Sequence, residues 1–375
     1  MTNIKVLVVG AVVLVALGPG LPTLSLDDLG GGKQARSGRD PQPRAEPAAS
    51  APSDQAARTC ARMAAPWGSN SASGTPDEPV RGPRRLVAML RPGQTGCLRS
   101  GTYRETQIQV KRPRVTLRSA PGERATWRGR IVLMGARDRL LGLNLDGSAG
   151  PRCGASNCGA LPSPTINAPN VVVADNDIQS PDSGICVHPR AWGRQRPDHF
   201  LIERNRIHDC GRRPPTEHDH GIYVADGRGG VIRDNVVFGN ADRGIQLYPD
   251  AYGTTVIDNT VDGNGSGIVF SERSAKNVVR NNVFSNAVRR WNAESYQLSG
   301  RGNAFVGNCV RPGNANSTYD VNGGIALPSW VSQSGNRAAG TKLYVDRASG
   351  DFRIAPGSAC TGRGATDSVA GPLGG

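Results

Sequence analysis

Titratable side chains are concentrated in one stretch of the chain. All five histidines fall between positions 188 and 220, at His188, His199, His208, His218 and His220. The pattern Asp-x-Gly-Ile occurs three times in the same region, beginning at Asp182, Asp219 and Asp242. Imidazoles and carboxylates at this density could transfer protons or bind a metal ion, although a single histidine more often caps a turn or packs on a neighbour such as Trp192. Which of these side chains lie close together in the fold depends on the secondary-structure elements that carry them.

A sequence repeat defines those elements. Segments of the type V-V-V-A-D-N-D-I and F-L-I-E-R-N-R-I place an asparagine after β-branched residues, and the asparagines are separated by 29, 30, 24, 23 and 21 residues. They are Asn176, Asn205, Asn235, Asn259 and Asn282, with Asn303 as a weaker sixth. A period near 23 residues suits one coil of a β-solenoid with three short strands. We expect the asparagines to stack as a ladder of side-chain amides inside a turn.

A second pattern runs in phase with the first and reads S-G-I-C-V, H-G-I-Y-V, R-G-I-Q-L and S-G-I-V-F. Because side chains alternate between the two faces of a strand, one set should point inward and the other outward. The inward set is Ile185, Val187, Ile222, Val224, Ile245, Leu247, Ile268 and Phe270. The outward set is Cys186, Tyr223, Gln246 and Val269.

These repeats resemble the pectate-lyase-like superfamily of right-handed parallel β-helices. Upstream, R-R-L-V-A-M-L-R-P-G and L-R-S-G-T-Y-R-E, within Arg84–Glu105, are similar to the capping helix and first coil of β-helical alginate lyases and chondroitinase B. The stretch D-F-R-I-A-P-G-S-A, Asp351–Ala359, looks like a closing strand of such chains. The resemblance spans about Arg84–Cys360 and implies an all-β single solenoid of about nine coils, three strands per coil, with a short N-terminal capping helix. It implies no single activity, because the superfamily includes lyases, hydrolases, epimerases, esterases and non-catalytic surface proteins.

The N-terminal part differs in composition from the repeats. An apolar run, Val6–Leu17, is typical of a signal peptide over residues 1–26 or of a retained membrane tether through residues 4–26. Residues 27–58 are rich in Pro, Ala, Gly and Arg and predict a disordered linker. We therefore expect a secreted or cell-surface protein.

The remaining chain, residues 59–375, is predicted to form the β-helix domain. Clear coils are expected over about residues 101–310, and residues 311–375 are expected to form a C-terminal cap. Closing both ends protects the edge strands of a solenoid from pairing with other chains. Leu86–Leu90 would close the first end, and the segment with Trp330 and Phe352 the second.

Eight cysteines in an exported chain favour disulfides, although eight allow 105 pairings. Order along the chain predicts Cys60 with Cys97, Cys186 with Cys210, Cys309 with Cys360, and a short loop between Cys153 and Cys158. The formal charge of +14 favours polyanionic partners, or reflects Arg-rich composition alone. No nucleic-acid-binding motif accompanies the charge, so we expect no nucleic-acid partner. We also expect the protein to be a monomer.

Aligning the coils reveals two insertions, at about residues 188–199 and 210–218, in the coils that carry the histidines. The same alignment stacks Asp182, Asp219 and Asp242 in adjacent coils. Carboxylates about 4.8 Å apart repel by roughly 3.5 kcal/mol at an effective dielectric near 20, so a cation should accompany them unless they splay into solvent. Arg243 is one candidate cation and calcium is the other.

An outward column four residues after each Gly contains His188, Ala225, Tyr248 and Ser271, beside Tyr223 and Gln246. Such a cleft could perform β-elimination on a uronate. The roles predicted are His220 as base, Arg243 as carboxylate partner and Tyr248 as acid. His188, Tyr223, Gln246 and His218 would bind the substrate. Epimerisation needs the same first step, so the sequence predicts an acidic polysaccharide as partner and either a lyase or an epimerase.

The signatures of particular families are mostly missing. His218–Gly221 reads H-D-H-G and only echoes the G-H-G of polygalacturonase-like hydrolases, and Arg212–Pro215 lacks the second Arg of the pectate-lyase R-x-P-x-x-R. The D-P-H-D of mannuronan epimerases is absent. Two alternatives therefore stay open: a non-catalytic glycan-binding or structural cell-surface β-helix, and a transition-metal site at His218 and His220.

Overall fold

The computed structural model describes residues 59–152, 154, 159–312 and 323–372. The predicted signal peptide or tether, the predicted linker over residues 27–58 and the predicted Cys153–Cys158 loop lie outside these residues. Within the described ranges, no helix has the length and apolar character needed to cross a membrane.

Short strands, numbered β1–β30 along the chain, wind into a right-handed parallel β-helix of about nine turns. The ladders between coils are parallel, and strands of successive coils pair to form three sheets that run along the solenoid. The predicted all-β class, solenoid architecture and coil number are confirmed. Pairing begins at Arg62 and continues to Ala338, beyond both predicted limits of the clear coils.

The first sheet contains, in pairing order, β1 (Arg62–Ala64), β2 (Thr95–Leu98), β4 (Thr116–Ser119), β6 (Arg139–Leu141), β9 (Val172–Ala174), β12 (Leu201–Glu203), β15 (Val231–Arg233), β18 (Thr255–Ile257), β21 (Val278–Arg280), β24 (Ala304–Val306) and β27 (Ser332–Ser334).

The second sheet contains β11 (His188–Pro189), β8 (Thr165–Ile166), β5 (Ala125–Leu133), β7 (Asn144–Asp146), β10 (Asp177–Pro181), β13 (Arg206–Gly211), β16 (Val236–Phe238), β19 (Thr260–Asp262), β22 (Val283–Ser285), β25 (Cys309–Val310) and β28 (Arg337–Ala338), with β3 (Gly101–Val110) paired to β5.

The third sheet contains β14 (Ile222–Val224), β17 (Arg243–Leu247), β20 (Ser266–Ser271), β23 (Ala293–Tyr296) and β26 (Ile325–Ala326). The long strand β5 has two partners within the second sheet, because its first half pairs with β7 and its end with β8. The chain also forms an antiparallel pair, β29 (Tyr344–Asp346) and β30 (Asp351–Ile354), and two short helices, α1 (Pro83–Met89) and α2 (Asp367–Ala370).

The interior is a continuous column of aliphatic and aromatic side chains. Ile222 pairs with Ile245 and Val224 with Leu247, and all four side chains are fully buried, as the alternation predicted. In a parallel solenoid each such residue lies directly on its counterpart one coil away, so the close-packed interior extends along the whole axis.

The coil before β14 is out of register with the sequence alignment. Val187 pairs with Ile222, whereas aligning Gly184 with Gly221 had paired Ile185 with Ile222. A shift of two residues leaves every side chain on its original face, so alternation could not detect it. The correction moves each residue of that coil by two positions relative to the next coil.

The predicted amide ladder is present. In each step an asparagine donates its side-chain Nδ2 to the Oδ1 of the next, as between Asn205 and Asn235 at 3.0 Å, and the backbone N–H of Asn205 donates to the same oxygen. After Asn282 the ladder continues to Asn308 and not to Asn303. Asn303 pairs with Asn277 in a separate ladder, so its assignment from the sequence was wrong.

A further ladder explains the Gly-Ile pattern. Asn240 donates to Asn264 one coil away, and a Cβ on Gly221 would lie 2.8 Å from the Asn240 amide nitrogen. Glycine is thus required where the strand turns past the ladder. Cys210 takes the ladder position in the coil before Asn240, and its disulfide to Cys186 is formed where the other coils have an amide and a glycine.

The disulfide predictions that fall on described residues are confirmed: Cys60–Cys97, Cys186–Cys210 and Cys309–Cys360. Helix α1 covers the first coils, as predicted, with Leu86 and Leu90 fully buried against Gly96. Arg112 donates to the carbonyls of Ala88 and Leu90 at 2.8 Å and so satisfies the end of this helix.

The C-terminal segment differs from the predicted cap. Phe352 does not close the end of the solenoid. It packs on its side against Phe238 of the second sheet, with ring centroids 4.9 Å apart. Arg206, on an earlier coil, donates to the carbonyl of Gly371 at 2.8 Å. Trp330 is 45% exposed. The C-terminal segment thus runs back along the side of the solenoid. The alternation of inward and outward residues does not predict this path, because the path depends on outward residues of distant coils.

Candidate functional site

Three rings stack along the outward side of the third sheet, which we call the third-sheet face. His188 lies on Tyr223 with ring centroids 4.6 Å apart, and Tyr223 lies 6.1 Å from Tyr248. The corrected register places His188 beside Tyr223 in adjacent coils, and Gln246 is the residue paired with Tyr223 in the next one. Three of the four predicted substrate-binding residues, His188, Tyr223 and Gln246, therefore share one column.

His188 is buried, and neither ring nitrogen has a hydrogen-bond partner. Burial, together with the nearby charges of Arg190 and Arg130, lowers the pKa of His188 to about 3. The imidazole is therefore neutral at ordinary pH. A buried imidazole with two unpaired nitrogens is uncommon, because buried polar groups are normally satisfied, and such exceptions point to a water or ligand.

His220 lies edge-on to Tyr223, with ring centroids 5.5 Å apart. His220, the predicted base, is buried, since only 1% of the residue is exposed. Its Nδ1 lies 3.5 Å from Asp242 Oδ2 and has no hydrogen-bond partner. Burial and the charge of Arg243 lower the pKa of His220 well below its ordinary value, so this imidazole is also neutral.

Arg243 is the first residue of β17, and its guanidinium neutralises the carboxylate of the preceding Asp242. The Arg243 Nη1 atom lies 2.7 Å from Asp242 Oδ2. Its Nη2 lies 2.6 Å from Glu217 Oε2, and Glu217 also contacts Arg290 at 2.8 Å. Although burial opposes the charged form, Asp242 and Glu217 raise the pKa of Arg243. Burial raises the pKa of Asp242, despite its partner Arg243. The predicted pairing of Arg243 with an aspartate is present, together with a second carboxylate.

The three aspartates do not form one column. Asp219 and Asp242 lie in adjacent coils, but Asp219 accepts hydrogen bonds from the backbone of Arg212 and Thr216 inside an inserted loop. Asp182 is exposed, and the two-residue register shift displaces it from Asp219. In the part of the chain that the structure describes, no three or more His, Cys, Asp or Glu side chains are placed to hold a metal ion. The predicted calcium site stays a prediction from the sequence.

Tyr248 belongs to a neighbouring outward column that leads through Ser271 to Tyr296. The alignment had placed His188 in this column, but the register shift puts Arg190 there instead, beside Ala225. Tyr248 is partly exposed, and burial together with the adjacent Glu272 raises its pKa. Of the groups with predicted catalytic roles, Tyr248 alone is open to a ligand in this arrangement.

The five histidines do not gather at one place. His208 lies on the second sheet, between Asp177 and Asp209, and stacks on Phe238. Burial lowers its pKa, but the two aspartates prevail and raise it to about 9. His199 is exposed in the first insertion. His218, predicted to bind substrate, is exposed in the second insertion, two residues from the buried His220.

Sequence reasoning missed four charged residues of the third-sheet face: Arg190, Glu217, Arg290 and Glu294. Glu294 pairs with Val269 on the sheet and accepts a hydrogen bond from Ser266 at 2.8 Å, and burial raises its pKa. Glu217 and Arg290 lie outside the strand repeats. Position in the second insertion was the available signal for Glu217, whereas the partner of Arg290 could not be read from the repeat.

Taken together, the third-sheet face presents partly exposed tyrosines, arginines paired with carboxylates, and two neutral imidazoles beneath them. Neutral imidazole and tyrosine are groups that can move protons, and arginine is suited to bind carboxylate.

Comparison with known proteins agrees with this architecture. Residues 157–310 match the family described as right handed beta helix region. No curated protein matches the chain. A solved structure of pectate lyase Pel9A is similar at 12% identity, covering 81% of this chain and 92% of that chain, with a TM-score of 0.55. A rhamnogalacturonan lyase is similar at 11% identity, covering 79% and 93%, with a TM-score of 0.52. The complex of XylC with xylose shares 11% identity, covering 71% and 69%, with a TM-score of 0.53. At these identities the likeness establishes the fold.

Proposed function

We propose that this protein is exported and acts on an acidic polysaccharide at the third-sheet face, by β-elimination or epimerisation at a uronate. The observation that carries the proposal is the stack of His188, Tyr223 and Tyr248, with unpaired nitrogens on two neutral imidazoles beside Arg243. A structural solenoid gains nothing from such unsatisfied groups, which cost stability when buried.

The face suits a charged sugar chain. Tyrosine rings offer flat apolar surfaces to sugar rings, and Arg190 and Arg243 can pair with carboxylates. On the first insertion Trp192 is 59% exposed, and the Arg190 guanidinium lies 5.8 Å from its ring centroid. The net charge of +14 would attract a polyanion. The similar structures include a pectate lyase and a rhamnogalacturonan lyase.

The proposed chemistry begins with loss of the C5 proton of a uronate to a base. Arg243 neutralises the carboxylate on which charge develops, as predicted. In elimination, the C5–H electron pair forms the C4–C5 double bond, the C4–O bond breaks, and Tyr248 donates a proton to the departing oxygen. In epimerisation a proton returns to C5 from the other face. His220 keeps the predicted role of base, which requires the groups covering it to move.

Export is supported by the disulfides. Three of them lie within the described residues, and disulfides form and persist chiefly in oxidising compartments. A secreted or cell-surface protein would also have access to extracellular polysaccharides.

The test is a screen of the purified protein against alginate, pectate, chondroitin and heparin-like polymers, followed by absorbance of the unsaturated product. Epimerisation would leave absorbance unchanged, so the sugar composition of each recovered polymer is compared by NMR. Activity on one acidic polymer is expected, and a neutral xylan serves as control. Absence of both elimination and epimerisation on all the acidic polymers would contradict the catalytic proposal.

A second candidate function is glycan binding without catalysis. It is favoured by burial, because His220 and Arg243 are only 1% and 3% exposed while the tyrosines reach the surface. Equilibrium binding of an acidic polymer without any change to it would support this candidate.

A further inference from the structure

We propose that Arg243 and Arg290 form a subsite for the carboxylate of one uronate unit, and that the side chain of Glu217 occupies it in the free protein. This inference rests on the proposed function, because the uronate is the ligand assigned to the third-sheet face. It names the two arginines that would bind the uronate carboxylate, and the Glu217 side chain that the uronate would displace.

The geometry is that of a bound carboxylate. The Glu217 Oε2 atom lies 2.6 Å from Arg243 Nη2, and its Oε1 atom lies 2.8 Å from Arg290 Nη2. Each oxygen thus faces its own guanidinium, an arrangement in which charge-assisted hydrogen bonds are short and strong. A uronate carboxylate has the same two oxygens and the same charge, and could replace that of Glu217 at both arginines.

Burial distinguishes this contact from an ordinary surface ion pair. The Arg243 side chain is 3% exposed, whereas that of Glu217 is 53% exposed. About half of the Glu217 side chain is therefore exposed to solvent, while the Arg243 guanidinium that it contacts is buried. The Arg243 Nε is also buried and has no hydrogen-bond partner. A buried arginine with an unused donor, next to a carboxylate that can be displaced, is suited to bind a ligand.

The loop that carries Glu217 allows this exchange without unfolding. A Cβ on Gly211 would lie 2.3 Å from the Asp219 Cβ, so the two ends of the loop meet closely. The Asp219 carboxylate holds the loop from within, through the backbone N–H groups of Arg212 and Thr216. Glu217 itself has a φ of 66°, a left-handed conformation that is uncommon outside glycine. The base of the loop is fixed, and the residue that must move is exposed.

Displacement of Glu217 would free the Arg243 guanidinium for a ligand. His220 and Arg243 lie in adjacent coils. His220 directly follows the loop, three residues after Glu217. Burial would raise the pKa of Glu217, but Arg243 and Arg290 hold it below its ordinary value. Glu217 is therefore ionised at neutral pH and competes directly with a ligand carboxylate.

The experiment measures binding of sodium D-galacturonate by NMR titration to the full chain, with D-galactose as the uncharged probe. The Glu217→Ala variant is expected to bind galacturonate about tenfold more tightly than the unaltered protein, because it removes the internal competitor. Galactose affinity should not change. The Glu217→Ala/Arg290→Ala variant should lose the gain. The matched control is Asp175→Ala, which removes a half-exposed carboxylate that pairs with Arg204 away from the third-sheet face, at a residue that is also left-handed, and it should leave galacturonate affinity unchanged.

Equal galacturonate affinity in Glu217→Ala and the unaltered protein would overturn the subsite, as would an equal gain for galactose. If Glu217→Ala changes the near-ultraviolet circular dichroism, Glu217→Gln provides the same comparison with the side-chain length kept. Binding of a monosaccharide needs no turnover, so the subsite can be confirmed in a protein that cleaves no polymer. Conversely, polymer cleavage with unchanged galacturonate affinity would refute the subsite and leave the proposed function standing.

Discussion

His188 and Tyr223 lie face to face across two coils, with their ring planes inclined by 13°. The pairing of Val187 with Ile222 brings them together, since the residues that follow a paired position are themselves neighbours. The contact joins a neutral, buried imidazole to a partly exposed phenol. Both rings belong to the third-sheet face, where the imidazole is covered and the phenol is partly open to solvent.

The burial of His188 makes stability depend on pH. The pKa of His188 is about 3 in the folded protein, below its ordinary value of 6.5. The unfolded chain therefore binds a proton first, and the stability present above about pH 6.5 is lost as the pH falls toward 3. Between pH 7 and 4.5 we expect His188→Phe to lose roughly 2 kcal/mol less stability than the unaltered protein, measured by urea unfolding.

His208 provides the opposite control. Its pKa is raised to about 9, so its contribution is full below about pH 6.5 and is lost as the pH rises through 9. His208→Gln should therefore lose less unfolding free energy than the unaltered protein as the pH rises from about 6.5 to 9.

The result that would contradict the His188 prediction is an equal loss of unfolding free energy in His188→Phe and the unaltered protein as the pH falls. It would show that His188 is protonated in the folded protein.

The Cys186–Cys210 disulfide can be replaced by the motif of the other coils. Loss of the disulfide in Cys186→Ser/Cys210→Ser should cost about 3 kcal/mol in unfolding free energy. Cys186→Gly/Cys210→Asn should recover part of this loss, because Cys210 occupies the position that precedes Asn240 in the ladder. Denaturant unfolding of both variants measures the difference. No advantage for the Gly/Asn variant would contradict the assigned ladder position.

Ile245 tests the coil alignment. Its side chain is fully buried between Ile222 and Ile268. Ile245→Asp places a lone carboxylate in a close-packed interior at a cost of several kcal/mol, so it should prevent folding. Ser332→Asp, at an exposed position of a strand, is the control and should fold. A soluble Ile245→Asp variant with a cooperative melting transition would contradict the alignment.

The fold was largely predictable from the sequence because each coil repeats the same physical requirements. Asn235 is needed where amides stack, Gly244 where the strand passes a ladder, and Ile245 where the side chain enters the interior. These requirements are local to one coil and recur in the next, so a pattern of residue types reveals them.

The candidate site was less predictable, because it depends on relations between coils that the repeat leaves undetermined. The two-residue shift at Val187 preserves alternation, and it moved His188 from the column of Tyr248 to that of Tyr223. Arg243 pairs with Glu217, which belongs to an insertion and follows no repeat. The cover formed by Phe352 likewise depends on distant coils.

Tyr248 is the accessible group of the proposed reaction. Tyr248→Phe removes only the hydroxyl and should lower kcat on the responsive polymer by about a hundredfold or more, since general acid–base groups contribute on that order. Stability should stay within about 0.5 kcal/mol, because the ring is retained on a partly exposed surface. Tyr296→Phe, in the same outward column, is the control and should keep most of the activity. Unchanged kcat in Tyr248→Phe would remove the proposed acid.

In the proposed reaction the third-sheet face removes the C5 proton of a uronate, a step that elimination and epimerisation share. This step can be measured by incubating the purified protein with each acidic polymer in deuterium oxide and following C5–H by NMR. We expect loss or exchange of C5–H on one polymer with the unaltered protein, and a strong decrease with Tyr248→Phe or His220→Ala. If polymers bind to the protein but keep C5–H unchanged, the third-sheet face does not remove this proton.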